Sequence, residues 1–102
     1  MFSVRRMTDL AEIIQSPVFS KQKKKLNSKQ IKELDAAVRL IFSNPASGEM
    51  KTGDLRDVQV YKYRADNKQM LLAYEVNGTT LFLYSLGSHE NFYRDLKKYL
   101  HR

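Results

Sequence analysis

The most regular pattern in the chain lies between Ser28 and Ser43. Ile31, Leu34, Val38, Ile41 and Phe42 form one apolar stripe, with charged residues filling the positions between them. That recurrence matches the 3.6-residue period of a helix buried on one side. Asn27-Ser28 supplies a break and a cap before the stripe, and Asn44-Pro45 ends it. The pattern predicts a helix over 28–43. Upstream, Ala11 to Gln15 (AEIIQ) is a short apolar run and predicts a first strand. Ser16-Pro17 then reads as a helix start, with Ser as N-cap and Pro in the first helical position. A short helix from Pro17 to Leu26 would turn Val18, Phe19 and Leu26 inward. Its Lys21, Lys23, Lys24 and Lys25 would face mostly water.

Beyond residue 44 the pattern changes. Ala46 to Asp54 (ASGEMKTGD) has two glycines and no period, so a loop is predicted. Three strand-like runs follow. Leu55 to Arg64 alternates β-branched, aromatic and charged residues. Gln69 to Val76 is more apolar. Asn77-Gly78 offers the residues of a type I′ hairpin turn, because both tolerate positive φ. Thr79 to Leu86 reads as a buried central strand. Gly87 permits a sharp exit, and Asn91 to Leu100 places Phe92, Leu96, Tyr99 and Leu100 on one helical face. Arg94, Lys97 and Lys98 lie off that face. The order β-α-α-β-β-β-α predicts an α+β domain, an antiparallel sheet with two helices packed on one face. At 102 residues the chain is one domain. Residues 1–10 read as an N-terminal extension and 11–102 as the domain.

Composition narrows the partners. The net charge is +7 and the pI near 9.7, which favours nucleic acid, an acidic protein or a membrane surface. No apolar run reaches the roughly 18 residues that span a bilayer. The opening MFSVRRMTDL has no apolar core of a secretory signal. With no cysteine, disulfides and thiolate metal sites are excluded, and a cytoplasmic location is expected. His89 and His101 are too few to build a zinc site without carboxylates. No cofactor is expected.

Candidate chemistry gathers in the second half. Arg56, Lys62 and Arg64 sit at even spacing in one strand-like run and would share a face. His89 and Tyr93 follow the last strand. If that strand neighbours the one carrying Arg56, as in a meander, these groups converge on one surface, with Lys51 on its rim. Such a set suits cleavage of RNA by its own 2′-OH. The reaction needs a base for that hydroxyl, an acid for the leaving 5′ oxygen and cations for the phosphorane. Histidine titrates unaided near neutral pH, and tyrosine can donate a proton or stack on a base. The same residues also admit plainer roles. His89 can cap the final helix, Tyr93 can pack, and the cations can be a solvated strand face.

The runs GDLRDVQVYKYR, QMLLAYEV and LFLYSLGSHENFYRDLKKYL together resemble the RelE/ParE superfamily of bacterial toxins, over about residues 11–100. The resemblance implies that superfamily's α+β fold and a toxin of a type II toxin–antitoxin pair. It also implies an acidic, partly disordered antitoxin that wraps the toxin in a hetero-oligomer. RelE-like members are ribosome-dependent mRNA endonucleases; ParE-like members share the fold but inhibit DNA gyrase. LGSH at Leu86 to His89, with Tyr93 four residues on, is similar to one RelE-like subgroup. On that likeness His89 is the general acid or base, and Tyr93 orients substrate or donates a proton. Arg56 and Arg64 complete the catalytic set. Lys51, Lys62, Gln59 and Lys97 are the expected RNA contacts. Gln59, in LRDVQ, stands where the subgroup has a histidine, and the Glu49-Met50-Lys51 region stands where it has another. The expected function is therefore a metal-independent mRNA endonuclease acting with the ribosome and mRNA, with no membrane partner. Gyrase inhibition and a non-toxic RNA- or ribosome-binding domain are the alternatives.

Overall fold

A computed structural model describes residues 10–100, without the side chains of residues 54, 89–91 and 98–100. The expected extension therefore lies outside the described residues except for Leu10, which packs against the core. The elements are β1 (Glu12–Gln15), α1 (Pro17–Lys24), α2 (Ser28–Ser43), β2 (Glu49–Met50), β3 (Gln59–Ala65), β4 (Lys68–Asn77), β5 (Thr80–Ser88) and α3 (His89–Leu100). Short 3₁₀ turns at Pro45–Ser47 and Gly53–Leu55 flank β2. The described strands form one sheet in the order β1-β5-β4-β3-β2.

Both N-terminal helices start where the sequence predicts. The Ser16 side chain accepts from the Phe19 amide, with Pro17 behind it in the first turn. Asn27 accepts from the Gln30 amide at 2.8 Å while the Gln30 side chain accepts from the Asn27 amide at 3.0 Å, a complete capping box. The α2 stripe buries Leu34, Ala37 and Ile41. Leu34 and Ile41 pack with Phe19 onto one face of the sheet, against Met70, Leu72, Tyr74, Leu81, Leu83 and Leu86.

The other face has its own cluster. Phe92 and Leu96 of α3 cover Val60, Leu71 and Ala73, joined by Leu55 and Val58. Helices thus lie on both sides of the sheet. Consecutive residues Met70 to Tyr74 are all buried, as a strand covered on both faces requires. The central strand is therefore β4, whereas the sequence pointed to the run that forms β5.

Three local features depart from expectation for identifiable reasons. First, β1 runs parallel to β5, Glu12 opposite Thr80 and Gln15 opposite Leu83, although the other pairs are antiparallel. Two helices separate β1 from the rest of the sheet, long enough to return the chain to the same end. Secondly, the β4–β5 hairpin turns at Gly78-Thr79, because Asn77 already pairs with Thr80. Gly78 takes φ 63° and Asn77 has no positive φ, so the expected type I′ pair at Asn77-Gly78 does not form. The two-residue turn with both φ positive is instead Asp66-Asn67, at 54° and 66°. Thirdly, a two-residue strand, β2, lies inside the expected loop and pairs with the start of β3.

β1 is too short to cover the edge of β5, and side chains continue its work. Ser16 Oγ donates to the Tyr84 carbonyl at 2.6 Å, and the Leu86 amide donates to Gln22 Oε1 at 2.8 Å. The backbone of β5 beyond the end of β1 is thereby satisfied by residues of the first helical segment.

Candidate functional site

Strand alternation decides which charges share a surface. In β3, Val60, Lys62 and Arg64 point to the face that α3 covers, while Gln59, Tyr61, Tyr63 and Ala65 point to the α2 face. The α3 footprint includes Val60, so Lys62 and Arg64 stand exposed just beyond it. Lys62 lies opposite Leu71, and Leu71 lies opposite Gly87. The β5–α3 junction is thus two strand spacings from Lys62, roughly 9–10 Å. The expected meander does not place these strands side by side, since β4 intervenes. The register nevertheless brings Lys62, Arg64 and the chain leading to His89 to the same end of one face. A shallow cavity of about 210 Å³ is lined there by Lys62, Tyr63, Arg64 and Gln69. Arg64 Nη2 donates to the Asn67 carbonyl at 3.0 Å, which anchors the guanidinium at the turn.

Lys51 and Tyr93 form the second part of the surface. The Lys51 amide donates to the Val58 carbonyl at 2.9 Å, extending the β2–β3 pairing by one residue. Alternation places the Glu49 and Lys51 side chains on the α3 face, and the Lys51 ammonium sits 3.4 Å from the Glu49 carboxylate. It also lies 5.3 Å from the centroid of the Tyr93 ring, within cation–π range. Tyr93 is held in turn by an edge-to-face contact with Phe92, centroids 5.1 Å apart. Burial alone would lower the Lys51 ammonium, but Tyr93 and Glu49 outweigh it and hold it above the ordinary lysine value. Lys51 is therefore a fixed positive charge at neutral pH and not a base.

The remaining candidates separate clearly. Arg56 is exposed but is not on β3: it closes the 3₁₀ turn, and Asp57 beside it takes φ 75°. It does not share the alternation of Lys62 and Arg64. Lys97 is exposed on α3. His89 is the first residue of α3, directly after β5, and its side chain lies outside the described residues.

Gln59 stands apart from the surface cations. It is only 8 % exposed, and its Nε2 faces the Pro45 carbonyl at 2.9 Å, the Gly48 carbonyl at 3.2 Å and Tyr74 Oη at 3.1 Å. Its two Nε2 protons are shared among these three acceptors, so the structure places Gln59 in the interior and not on the surface of Lys62 and Arg64. Sequence reasoning missed this network because its members are 11 to 29 residues apart and none carries a motif. The one available signal was polar: Gln59 falls on the same side of its strand as Tyr61 and Tyr63, which a helix covers.

On the opposite side of the molecule, the edge strand β1 leaves Ile13 and Ile14 more than two-fifths exposed, with Leu40 of α2 similarly open. Ile13, Val38, Arg39, Phe42 and Ser43 line an apolar groove of about 320 Å³ there.

Comparison with solved structures finds the same fold. An E. coli RelE double mutant in the free state superposes with a TM-score of 0.69 at 21% identity, covering 91% of this chain and 98% of that one. A chain of the intact E. coli RelBE toxin–antitoxin complex gives 0.62 at 21%, covering 76% and 95%. A YoeB/ParE toxin from Agrobacterium tumefaciens gives 0.65 at 14%, covering 78% and 99%. No curated protein sequence matches the chain. The family model of the ParE-like toxin of type II bacterial toxin–antitoxin systems matches residues 13–97. That match runs from β1 into α3, and the chain belongs to the ParE-like toxins of type II bacterial toxin–antitoxin systems.

Proposed function

We propose that this toxin is a metal-independent mRNA endonuclease that works on translating ribosomes in the cytoplasm. The observation that carries the reading is the row of cations on the α3 face. Lys62 and Arg64 lie in register with the β5–α3 junction, and Lys51 is fixed beside Tyr93. Cleavage by the neighbouring 2′-OH would form a 2′–3′ cyclic phosphate and expel the 5′ oxygen. The 2′-OH proton goes to a base and the 5′ oxygen receives one from an acid. His89, at the head of α3, is the residue assigned to one of these transfers. Lys62 and Arg64 would neutralise the phosphorane oxygens, Arg64 by its planar fork and Lys62 as a point charge. Tyr93 and Lys51 would hold the adjoining nucleotide, and Lys97 and Arg56 would add peripheral charge.

An acidic antitoxin is the second partner. The RelBE neighbour is a toxin–antitoxin complex, and this chain offers a matching surface in the open edge of β1. Ile13 lines the apolar groove with Val38 and Phe42 and shares an adjoining cavity with Lys23 of α1. An acidic segment with apolar anchors complements that combination.

Gyrase inhibition is the competing reading, favoured by the ParE-like family match. Purified toxin added to a translation reaction, and separately to a gyrase supercoiling reaction, separates the two. The proposal expects mRNA cut only when ribosomes translate it, with supercoiling unaffected. Blocked supercoiling with intact mRNA would overturn it.

A further inference from the structure

The 44–51 segment leaves α2 on one face of the sheet and delivers Lys51 to the other. Between these points it rounds the edge of β3. What fixes it there is a buried polar network on the α2 face. Gln59 and Tyr74 oppose each other directly on β3 and β4. Tyr74 is fully buried, and every polar contact of its hydroxyl is made. Tyr74 Oη donates to the Pro45 carbonyl at 2.6 Å and accepts from the Gly48 amide at 2.8 Å and from Gln59 Nε2 at 3.1 Å. Gln59 adds its own contacts to the Pro45 and Gly48 carbonyls. Both side chains therefore grip the same two residues of one loop, one at each end of the turn that precedes β2.

Gly48 shows how closely the loop is drawn in. A Cβ at this position would lie 2.7 Å from Tyr74 Oη and 2.8 Å from Cε1. Its backbone, φ −85° and ψ 159°, is extended and open to any residue. The contact, not the backbone, requires glycine. Immediately after Gly48, Glu49 and Met50 pair with Val60 and Gln59, and the Lys51 amide bonds to Val58. The chain from the network to Lys51 is thus three residues of paired strand, with no slack between the lock and the ammonium it places.

We infer that Gln59 and Tyr74 are positioning residues, which lock the 44–51 segment from behind the sheet and thereby hold Lys51 against Tyr93 on the RNA-facing side. Their part in RNA cleavage rests on the function proposed above; the lock itself does not. The network specifies one loop arrangement and penalises any other, since displacing the loop strips the Tyr74 hydroxyl and the Gln59 Nε2 of their partners in the interior. Burial pushes the Tyr74 phenol up, more than the Gly48 amide pulls it down, which keeps it a neutral donor to Pro45.

The test is proton NMR of the full chain, read at the Lys51 ε-methylene. In the native protein the Tyr93 ring shifts these resonances, and Tyr93→Leu defines the value without the ring. In folded Tyr74→Phe and Gly48→Ala, the Lys51 resonances are expected to move more than halfway to the Tyr93→Leu value. Cleavage of translated mRNA is expected to fall at least tenfold in the same variants. Native Lys51 resonances in both folded variants would overturn the inference. Displaced resonances with undiminished cleavage would overturn its functional part. If Tyr74→Phe does not fold, Gly48→Ala decides alone; if neither folds, the network is a requirement of folding and the positioning role is lost. Absence of cleavage by the native toxin would defeat the proposed function, while the resonances would still decide the lock.

Discussion

Ser16 makes two bonds with one oxygen, and its removal tests how the first helix is tied to the sheet. Ser16 Oγ accepts from the Phe19 amide at 2.9 Å and donates to the Tyr84 carbonyl at 2.6 Å, and the residue is 9 % exposed. Ser16→Ala removes an N-cap, which costs about 1 kcal/mol. It also strips the Tyr84 carbonyl of its donor in a part-buried position, at a cost of about 1–2 kcal/mol. The sum is about 2–3 kcal/mol, to be read from the urea midpoint on the assumption of two-state unfolding. Two comparisons divide the sum. Asn27→Ala removes an exposed cap with no cross-chain bond and should cost only about 1 kcal/mol. Ser16→Asp keeps the cap acceptor but has no proton for Tyr84, so it should remain clearly destabilised although the helix stays capped. A Ser16→Ala loss no greater than that of Asn27→Ala would show that the bond to β5 contributes nothing. A fully stable Ser16→Asp would refute the reasoning outright.

Further predictions follow from burial and titration. The Tyr63 hydroxyl is buried with no hydrogen-bond partner among the described residues, and burial together with the Glu33 charge pushes its phenol up to about 12. The folded-state value lies above the unfolded one near 10, so stability is complete below pH 10 and declines as pH rises from 10 through 12. Tyr63→Phe should be neutral to about 1 kcal/mol stabilising at pH 7 and should flatten that decline, as read by urea titrations at both pH values. Phe92→Ala, at a site 4 % exposed between α3 and the sheet, should cost about 3–4 kcal/mol in the same assay. Ile13→Asp on the open β1 edge should leave stability within about 0.5 kcal/mol and weaken antitoxin binding at least tenfold by calorimetry.

The sequence spoke most clearly where local rules decide the outcome. The stripe and caps of α2 gave 28–43 without error, and Ser16-Pro17 gave the start of α1, because capping and periodicity act within a few residues. The strand carrying Lys62 and Arg64 was also legible, but its start was not. Leu55 to Val58 alternate like a strand, yet Gly53 and Asp57 take φ of 65° and 75° and turn the chain there. This is why Arg56 was grouped with residues whose face it does not share. Gly78 was correctly seen as a turn residue and misplaced by one position, since register is fixed by the partner strand and not by the dipeptide. The parallel pairing of β1 and the covering of both sheet faces depend on contacts far apart in sequence. So does the Gln59–Tyr74 network, where one polar residue expected at an interface proved to be part of the interior.

The cations beyond the α3 footprint are proposed to act on RNA. Primer extension on mRNA taken shortly after induction, comparing native toxin with the Lys62→Ala/Arg64→Ala variant, tests that role most directly. Both side chains are exposed, so the variant should fold with little loss of stability, while cleavage should drop by roughly 100-fold or more. New 5′ ends within translated codons should appear with the native toxin and all but disappear in the variant. Intact mRNA in cells arrested by the native toxin would contradict that role.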